Sequence, residues 1–261
     1  MTDTPYPSLN VQFLGCSKDP MEILFSAYKI NNSDDNPLNT WKNIRRGTIS
    51  KEQIKQTIEQ TKHKLPTTAH RQVQFVFLIE NISTLSLNHL ELFNKGLNRA
   101  SLVDLENRTQ RKTPTWVIPP ELKKQPEIFS HLQKIHSELA LLTEQCQKND
   151  ISDLNMHYLL PSGTANTEQL SIGFTEMQLF LDEQMCEEAE WEIHDLSWQI
   201  YQIMKKEFPT LADRLGPKCW ENRHLFCDKA YESYQNCKWS QCRSHKADLS
   251  GLWGKLKHRS A

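Results

Sequence analysis

The densest run of side chains able to do chemistry lies near the C-terminus: Cys219, His224, Cys227, Cys237, Cys242 and His245. Thiolate and imidazole are soft donors suited to zinc, and four of them close a tetrahedral site. Seven, nine and four residues separate the four cysteines, a pattern that matches no standard finger. Cys219, Cys227, Cys237 and Cys242 are the candidate zinc ligands, set against a tail that holds no ion. Elsewhere the signals are thinner. Asp104 and Glu106 have the residue types of a metal pair or of an acid and a base, but no third ligand stands beside them in the sequence, so a solvated loop is the plainer expectation. Ser162-Gly163-Thr164 has the composition of a phosphate cradle and equally that of a turn. His89 and His194 are expected at a surface or an interface. The basic end from Leu249 to Arg259, which contains a Trp, reads as a contact for nucleic acid or an acidic partner, or as a solvated helix end.

The elements that must position these groups follow from pattern. Val11–Leu14 predicts a short strand, and Asp19-Pro20 opens a helix through Tyr28, with Pro where no N–H is needed. Asn31 to Pro37 reads as a polar loop. Ser50 and Gln53 form a capping box for a helix ending near Lys64. Val73–Ile79, rich in β-branched and aromatic residues, predicts a well-buried strand. A helix through Leu87–Phe93 then ends at Gly96, and residues from Leu97 to Arg111 read as mostly irregular. Thr115–Ile118 predicts a strand stopped by Pro119-Pro120. From Pro126 to Gln145, Ile128, Leu132, Ile135, Leu139 and Leu142 alternate at spacings of four and three, the mark of a helix with one buried stripe. A short helix ends at Tyr158–Pro161, Gln169–Gly173 predicts a strand, and helices follow over Thr175–Cys186 and Glu188–Glu207.

Composition sets the outer bounds. The chain has 261 residues, 38% apolar and 24% charged, enough for a packed core in one large domain or two small ones. We place a boundary near Pro209, with a main domain over 1–209 and a Cys- and aromatic-rich extension over 210–261. A net charge of −1 exerts no global pull on nucleic acid. No run of 18 apolar residues suggests a membrane span, and the first ten residues lack the basic and apolar regions of a signal peptide. A cytoplasmic location is the expectation. Seven cysteines, an odd number, then read as free or metal-bound thiols in a reducing compartment.

Four blocks in order, Val11–Tyr28, Gln72–Thr109, Tyr158–Glu207 and Gly216-Pro-Lys-Cys219, resemble flavin-dependent thymidylate synthases. The third is the most specific, because Leu160-Pro161 to Ala189-Glu-Trp-Glu-Ile193 matches the family's run from its Leu-Pro to its Ala-Gln-Trp-Glu-Ile without a gap. The resemblance implies an α+β fold: a curved, mostly antiparallel sheet flanked by helices, assembled as a homotetramer with active sites between subunits. It implies a reaction in which NADPH reduces FAD, methylenetetrahydrofolate gives a methylene, and dUMP becomes dTMP. The Gly-Pro-x-Cys tail of bacterial relatives makes inheritance a second reading of the C-terminal cysteines.

The family signature, Arg-His-Arg-x-x-Ser-x-Asn-Glu-x-Ser-x-Arg-Tyr, falls on Gly96 to Thr109. Ser101 and Arg108 match outright, Asp104 is a shortened Glu, and Gly96-Leu97-Asn98 replaces the cationic first half. In the third block Gly173 and Leu179 replace two Asn residues near the flavin, and Thr175 replaces an Arg. Gln184 stands where the family holds the uracil ring with an Arg, Glu188 where a His contacts the flavin, and His157 where an Arg binds substrate. The resemblance thus implies Arg108, Ser101, His157 and Gln184 as nucleotide-binding positions, and Asn98, Asp104 and Glu188 as cofactor-binding positions. Each lost charge-assisted hydrogen bond is worth about 1.5–3 kcal/mol, so four lost bonds approach the roughly 8 kcal/mol of a micromolar complex. Three functions follow as expectations: altered or lost dUMP methylation, a non-catalytic scaffold or partner subunit, and an enzyme for another nucleotide or flavin-like ligand.

Overall fold

The computed structural model describes residues 6–32, 36–61, 67–92, 97–101, 114–220 and 226–248; for 67–68, 92, 97–101, 153–154, 157 and 242 it describes the backbone path. In chain order the elements are β1 (Asn10–Cys16), α1 (Pro20–Asn32), α2 (Pro37–Arg45), α3 (Lys51–Thr61), α4 (Thr67–His70), β2 (Gln74–Ser83), α5 (Thr84–Leu92), β3 (Leu97–Ser101), α6 (Pro120–Lys123), α7 (Pro126–Lys148), α8 (Asp153–Met156), β4 (Ala165–Gly173), α9 (Phe174–Gln184), α10 (Trp191–Glu207), α11 (Pro209–Ala212), β5 (Phe226–Cys227), α12 (Tyr231–Asn236) and β6 (Ser244–His245). The fold is α+β. Contacts divide it into two compact units, Met1–Pro20 with Arg71–Phe174, and Met21–His70 with Thr175–Ala261.

The first unit holds a four-stranded sheet in the order β1-β2-β4-β3, with every pair antiparallel. β2 takes a central place because its apolar residues alternate: Phe75, Phe77 and Ile79 are fully buried on one face. Leu170 and Ile172 of β4 share the burial, and Phe77 lies opposite both Phe13 and Leu170. A bulge between Glu80 and Ile82 places Asn81 at φ 62, a left-handed conformation that Asn tolerates, and its side-chain amide donates to the Ser8 carbonyl at 3.0 Å. On the next strand the Asn166 amide donates to the Thr84 hydroxyl at 2.9 Å and to the Thr164 carbonyl at 2.8 Å, tying β4 to the start of α5.

In the second unit, the capping box forms as the sequence predicts. Ser50 Oγ accepts from the Gln53 N–H at 3.2 Å, and Gln53 Oε1 accepts from the Ser50 N–H at 2.8 Å. α10 buries Ile193, Leu196, Ile200 and Met204 along one face. Thr210 donates to the Glu59 carboxylate at 3.0 Å, joining α11 to α3.

Four expectations need correction. Leu97–Ser101 is a strand: β4 offers it a ladder, and that pairing outweighs the polar Asn98-Arg99 sequence. Thr115–Ile118 makes only an isolated bridge between Trp116 and Thr164. Asn36-Pro37 starts a helix inside the anticipated loop, because Asn36 Oδ1 accepts the Leu38 N–H at 2.9 Å and Pro37 occupies the first turn. The α7 stripe is split. The helix buries His136 and Thr143, with His136 stacked on Trp116 at 4.3 Å and Tyr6 against Phe129, whereas Ile128, Ile135 and Leu142 are 52%, 52% and 40% exposed. The neighbours of α7 cover the side next to that apolar row, a fact that periodicity alone does not contain. Gly96 and residues 249–259 lie outside the described residues.

Candidate functional site

The positions singled out by the sequence fall into three places. Asn98 and Ser101 stand on β3, paired with Ser171 and Glu168 of β4. His157 opens a short 3-10 helix, His157–Leu159, after α8. Gln184 is the last residue of α9, half-buried, and Glu188 lies exposed in the turn that leads to α10. Arg108, Asp104 and Glu106 lie outside the described residues.

The β4–α9 junction is built by burial. Gly173 ends β4, and the Phe174 N–H donates to the Val73 carbonyl at 2.9 Å. Met177, Phe180, Leu181 and Met185 follow at helical spacing and are buried to 1% exposure or less. Ser197 of α10 donates its hydroxyl to the Gln184 carbonyl at 3.0 Å, closing the end of α9. Glu190 then caps α10, its carboxylate accepting the Glu192 and Ile193 N–H groups, both at 3.1 Å. Thr175 is buried with its hydroxyl unpaired among the described residues, and Leu179 presents an aliphatic chain that is 44% exposed.

Electrostatics define what this segment can hold. From Phe174 to Glu190 it carries Glu176, Asp182, Glu183, Glu187, Glu188 and Glu190 and no Lys, Arg or His. Diphosphate and nucleotide phosphate bind through cationic or N–H donors, and carboxylates repel them. The α9 segment therefore does not fit the diphosphate of FAD. Its carboxylates are met instead by lysines of the C-terminal stretch. Lys218 pairs with Glu183 at 3.1 Å and with Asp228, Lys229 pairs with Glu183 at 3.4 Å, and Lys238 pairs with Glu187. Burial works to raise the Glu183 carboxyl, but hydrogen bonds and charge from Lys218 and Lys229 outweigh it and hold it below its ordinary range. Sequence reasoning missed these lysines because their partners lie far along the chain.

Of the four candidate zinc ligands, Cys219, Cys227 and Cys237 are half-buried free thiols; the side chain of Cys242 and all of His224 lie outside the described residues. Cys186, absent from the sequence-based set, is a half-buried free thiol as well. Burial and then the neighbouring Cys227, Cys186 and Cys237 push the Cys219 thiol up to about 11, against the opposing charge of Arg243. Among the described residues no group of three or more His, Cys, Asp or Glu side chains could hold a metal ion. His245 is held structurally, with its Nε2 2.8 Å from the Lys229 carbonyl. His194 accepts the Trp198 indole N–H at 3.0 Å, and His89 lies on the exposed side of α5. Ser162 to Thr164 is a turn closed by the Thr164 N–H on the Pro161 carbonyl at 2.9 Å. No described helix is long and apolar enough to cross a membrane.

Comparison with known proteins adds the lineage. Residues 13–210 match the family model described as thymidylate synthase complementing protein. A flavin-dependent thymidylate synthase of Thermococcus onnurineus is 31% identical over 109 residues, 40% of this chain and 44% of that protein. The Pyrococcus furiosus enzyme is 25% identical over 154 residues, 56% of this chain and 62% of that protein. The chain thus spans about half the length of the curated relatives it matches. Among solved structures, thymidylate synthase X of Helicobacter pylori with FAD and dUMP aligns with a TM-score of 0.53 at 14% identity, over 80% of this chain and 99% of that one. A UMP/dUMP methylase, PolB of Streptomyces cacaoi bound with 5-Br dUMP, aligns with a TM-score of 0.55 at 12% identity, over 79% and 94%. At these identities the likeness concerns the fold.

Proposed function

Because the chain belongs to the thymidylate synthase complementing protein family, the flavin-dependent thymidylate synthases, we propose that it keeps that fold as a homo-oligomeric subunit while its dUMP methylation is altered or lost. The observation that carries this reading is the six-carboxylate, cation-free stretch from Phe174 to Glu190, in which Thr175, Leu179, Gln184 and Glu188 replace the polar and cationic groups implied by the family. Such a surface favours neither the diphosphate of FAD nor the dianionic phosphate of dUMP. The oligomeric half of the proposal draws support from α7. Ile128, Ile135 and Leu142 recur every seven residues and remain exposed, the spacing of a seam that a second helix covers.

The test is the flavin content and activity of the purified full-length protein. A protein that is colourless, takes up no added FAD and releases no C5 hydrogen from dUMP supports the proposal. Stoichiometric bound FAD together with rescue of a thymidine-requiring strain overturns it. Sedimentation reads the oligomer separately: Ile135→Lys is expected to lower the molecular mass, and a wild-type monomer sinks that half.

A further inference from the structure

Between Asn36 and Lys51 the chain carries Lys42, Arg45, Arg46 and Lys51 and no Asp or Glu. The net charge of −1 hides this local excess of cations. α2 sorts it onto one side: Thr40 and Ile44 are buried, whereas Leu38, Trp41, Lys42 and Arg45 lie exposed on the opposite face, and Arg46 follows at the C-cap. None of the four cations pairs with a carboxylate among the described residues. Arg45 instead holds its guanidinium 4.6 Å from the centre of the Trp41 ring, which is 37% exposed.

This patch runs into a groove. The turn after α2 is fixed by the Gly47 N–H on the Ile44 carbonyl and the Thr48 N–H on the Asn43 carbonyl, both at 3.0 Å, with Gly47 at φ 73. Thr48 then lines a groove of about 320 Å³. Phe25 of α1 gives it an apolar surface, and Gln53, Gln56, Thr57 and Gln60 recur at i, i+3, i+4 and i+7, so one face of α3 supplies a polar wall. Most of these polar groups are unpaired among the described residues. Gln60 and Thr48 make no side-chain hydrogen bond, Gln56 reaches only Glu52 at 3.5 Å, and Gln53 uses its oxygen in the capping box and leaves its amide nitrogen without a partner.

Each feature matches one part of an unpaired nucleic-acid strand. A carboxamide presents a donor and an acceptor side by side, the pair that fits the edge of a nucleobase. Cations spread from Lys42 to Lys51 suit phosphates spaced along a strand better than a single phosphate. An exposed indole stacks on a base of any sequence. We propose that α2 and the groove between α1 and α3 bind single-stranded nucleic acid. Its phosphates lie on Lys42, Arg45, Arg46 and Lys51, one base stacks on Trp41, and a neighbouring base enters the glutamine-lined groove. A duplex keeps its base faces stacked on one another and closed to Trp41.

The experiment is fluorescence anisotropy of the full chain with labelled strands of oligo-deoxyadenosine and oligo-adenosine, whose relative affinities identify the preferred sugar. Four phosphate contacts give a salt slope of about −2.8, so affinity should fall about 50-fold between 50 and 200 mM salt. Arg45→Gln combined with Arg46→Gln should weaken binding about tenfold at the lower salt and roughly halve that slope. Gln60→Ala should weaken binding of both adenine strands about threefold and leave an abasic strand of equal length unchanged. The wild-type protein decides the matter even where a variant fails to fold, because the abasic strand should bind it several-fold more weakly than the adenine strands. Absence of saturable binding at 50 mM salt, equal affinity for abasic and adenine strands, preference for a duplex, or association with phosphatidylserine vesicles in place of the strands each overturn the proposal. The readout is strand binding, so its failure leaves the reading of flavin and dUMP untouched.

Discussion

The sheet and the C-terminal stretch are held in opposite ways. In the sheet, Phe75, Phe77 and Ile79 disappear from solvent and the ladder satisfies the backbone, so position is set by apolar area and register. From Lys218 to Asp248 the described side chains stay at least partly exposed except for His245, and position is set by lysine–carboxylate pairs and by hydrogen bonds such as that of the Tyr234 hydroxyl to the Arg243 carbonyl. The sheet can absorb sequence change so long as its alternation survives, which is why the fold is recognisable at 12–14% identity. The C-terminal stretch has no such tolerance, because each polar anchor is specific.

Perturbations should separate the two modes. The largest loss is expected for Phe77→Ala, which leaves a cavity in the fully buried face of β2 and should cost about 3–5 kcal/mol in urea denaturation. Limited proteolysis should instead cut first within 218–248 while β1–β4 stay resistant; equal protection of the two would break the contrast. Acid should act on the helical part of the second unit. Burial, then the charge of Arg214, lowers His70 from 6.5 to about 4, so the folded state binds fewer protons than the unfolded state between those values. Stability is present above 6.5, falls as pH drops toward 4, and levels off below; His70→Gln should flatten that slope in a pH series of denaturation curves. The smallest effect is expected for Lys238→Ala, whose pair with Glu187 is exposed, at about 0.2–1 kcal/mol, screened by salt.

Several parts of the fold were legible in the sequence for local reasons. Ser50 and Gln53 satisfy each other within one turn, and the buried row Ile193, Leu196 and Ile200 needs only helical periodicity, although that periodicity continues it to Ile203 and the structure buries Met204 in its place, leaving Ile203 half-buried. The start of α2 was also local, but Asn36-Pro37 serves loops and helix starts equally, and only the Leu38 N–H bond distinguishes them. β3 and the exposed half of the α7 stripe were illegible, because a strand needs its partner β4 and burial depends on which side a neighbour covers. The candidate site divides in the same way. Loss of cations from Phe174 to Glu190 is visible in residue types alone, whereas the capture of Glu183 by Lys218 and Lys229 joins residues about 35 and 46 positions apart.

The sequence by itself determined the family, the alternating strands, the helical stripes and the charge of the α9 segment, since all of these depend on residue type at short spacing. Tertiary structure decided which charges meet. Glu183 belongs to the third block of resemblance and Lys218 and Lys229 to the extension beyond Pro209, and only the approach of that extension to α9 makes them neighbours. Short-range pattern fixes which groups carry charge, but long-range contact selects which of them pair.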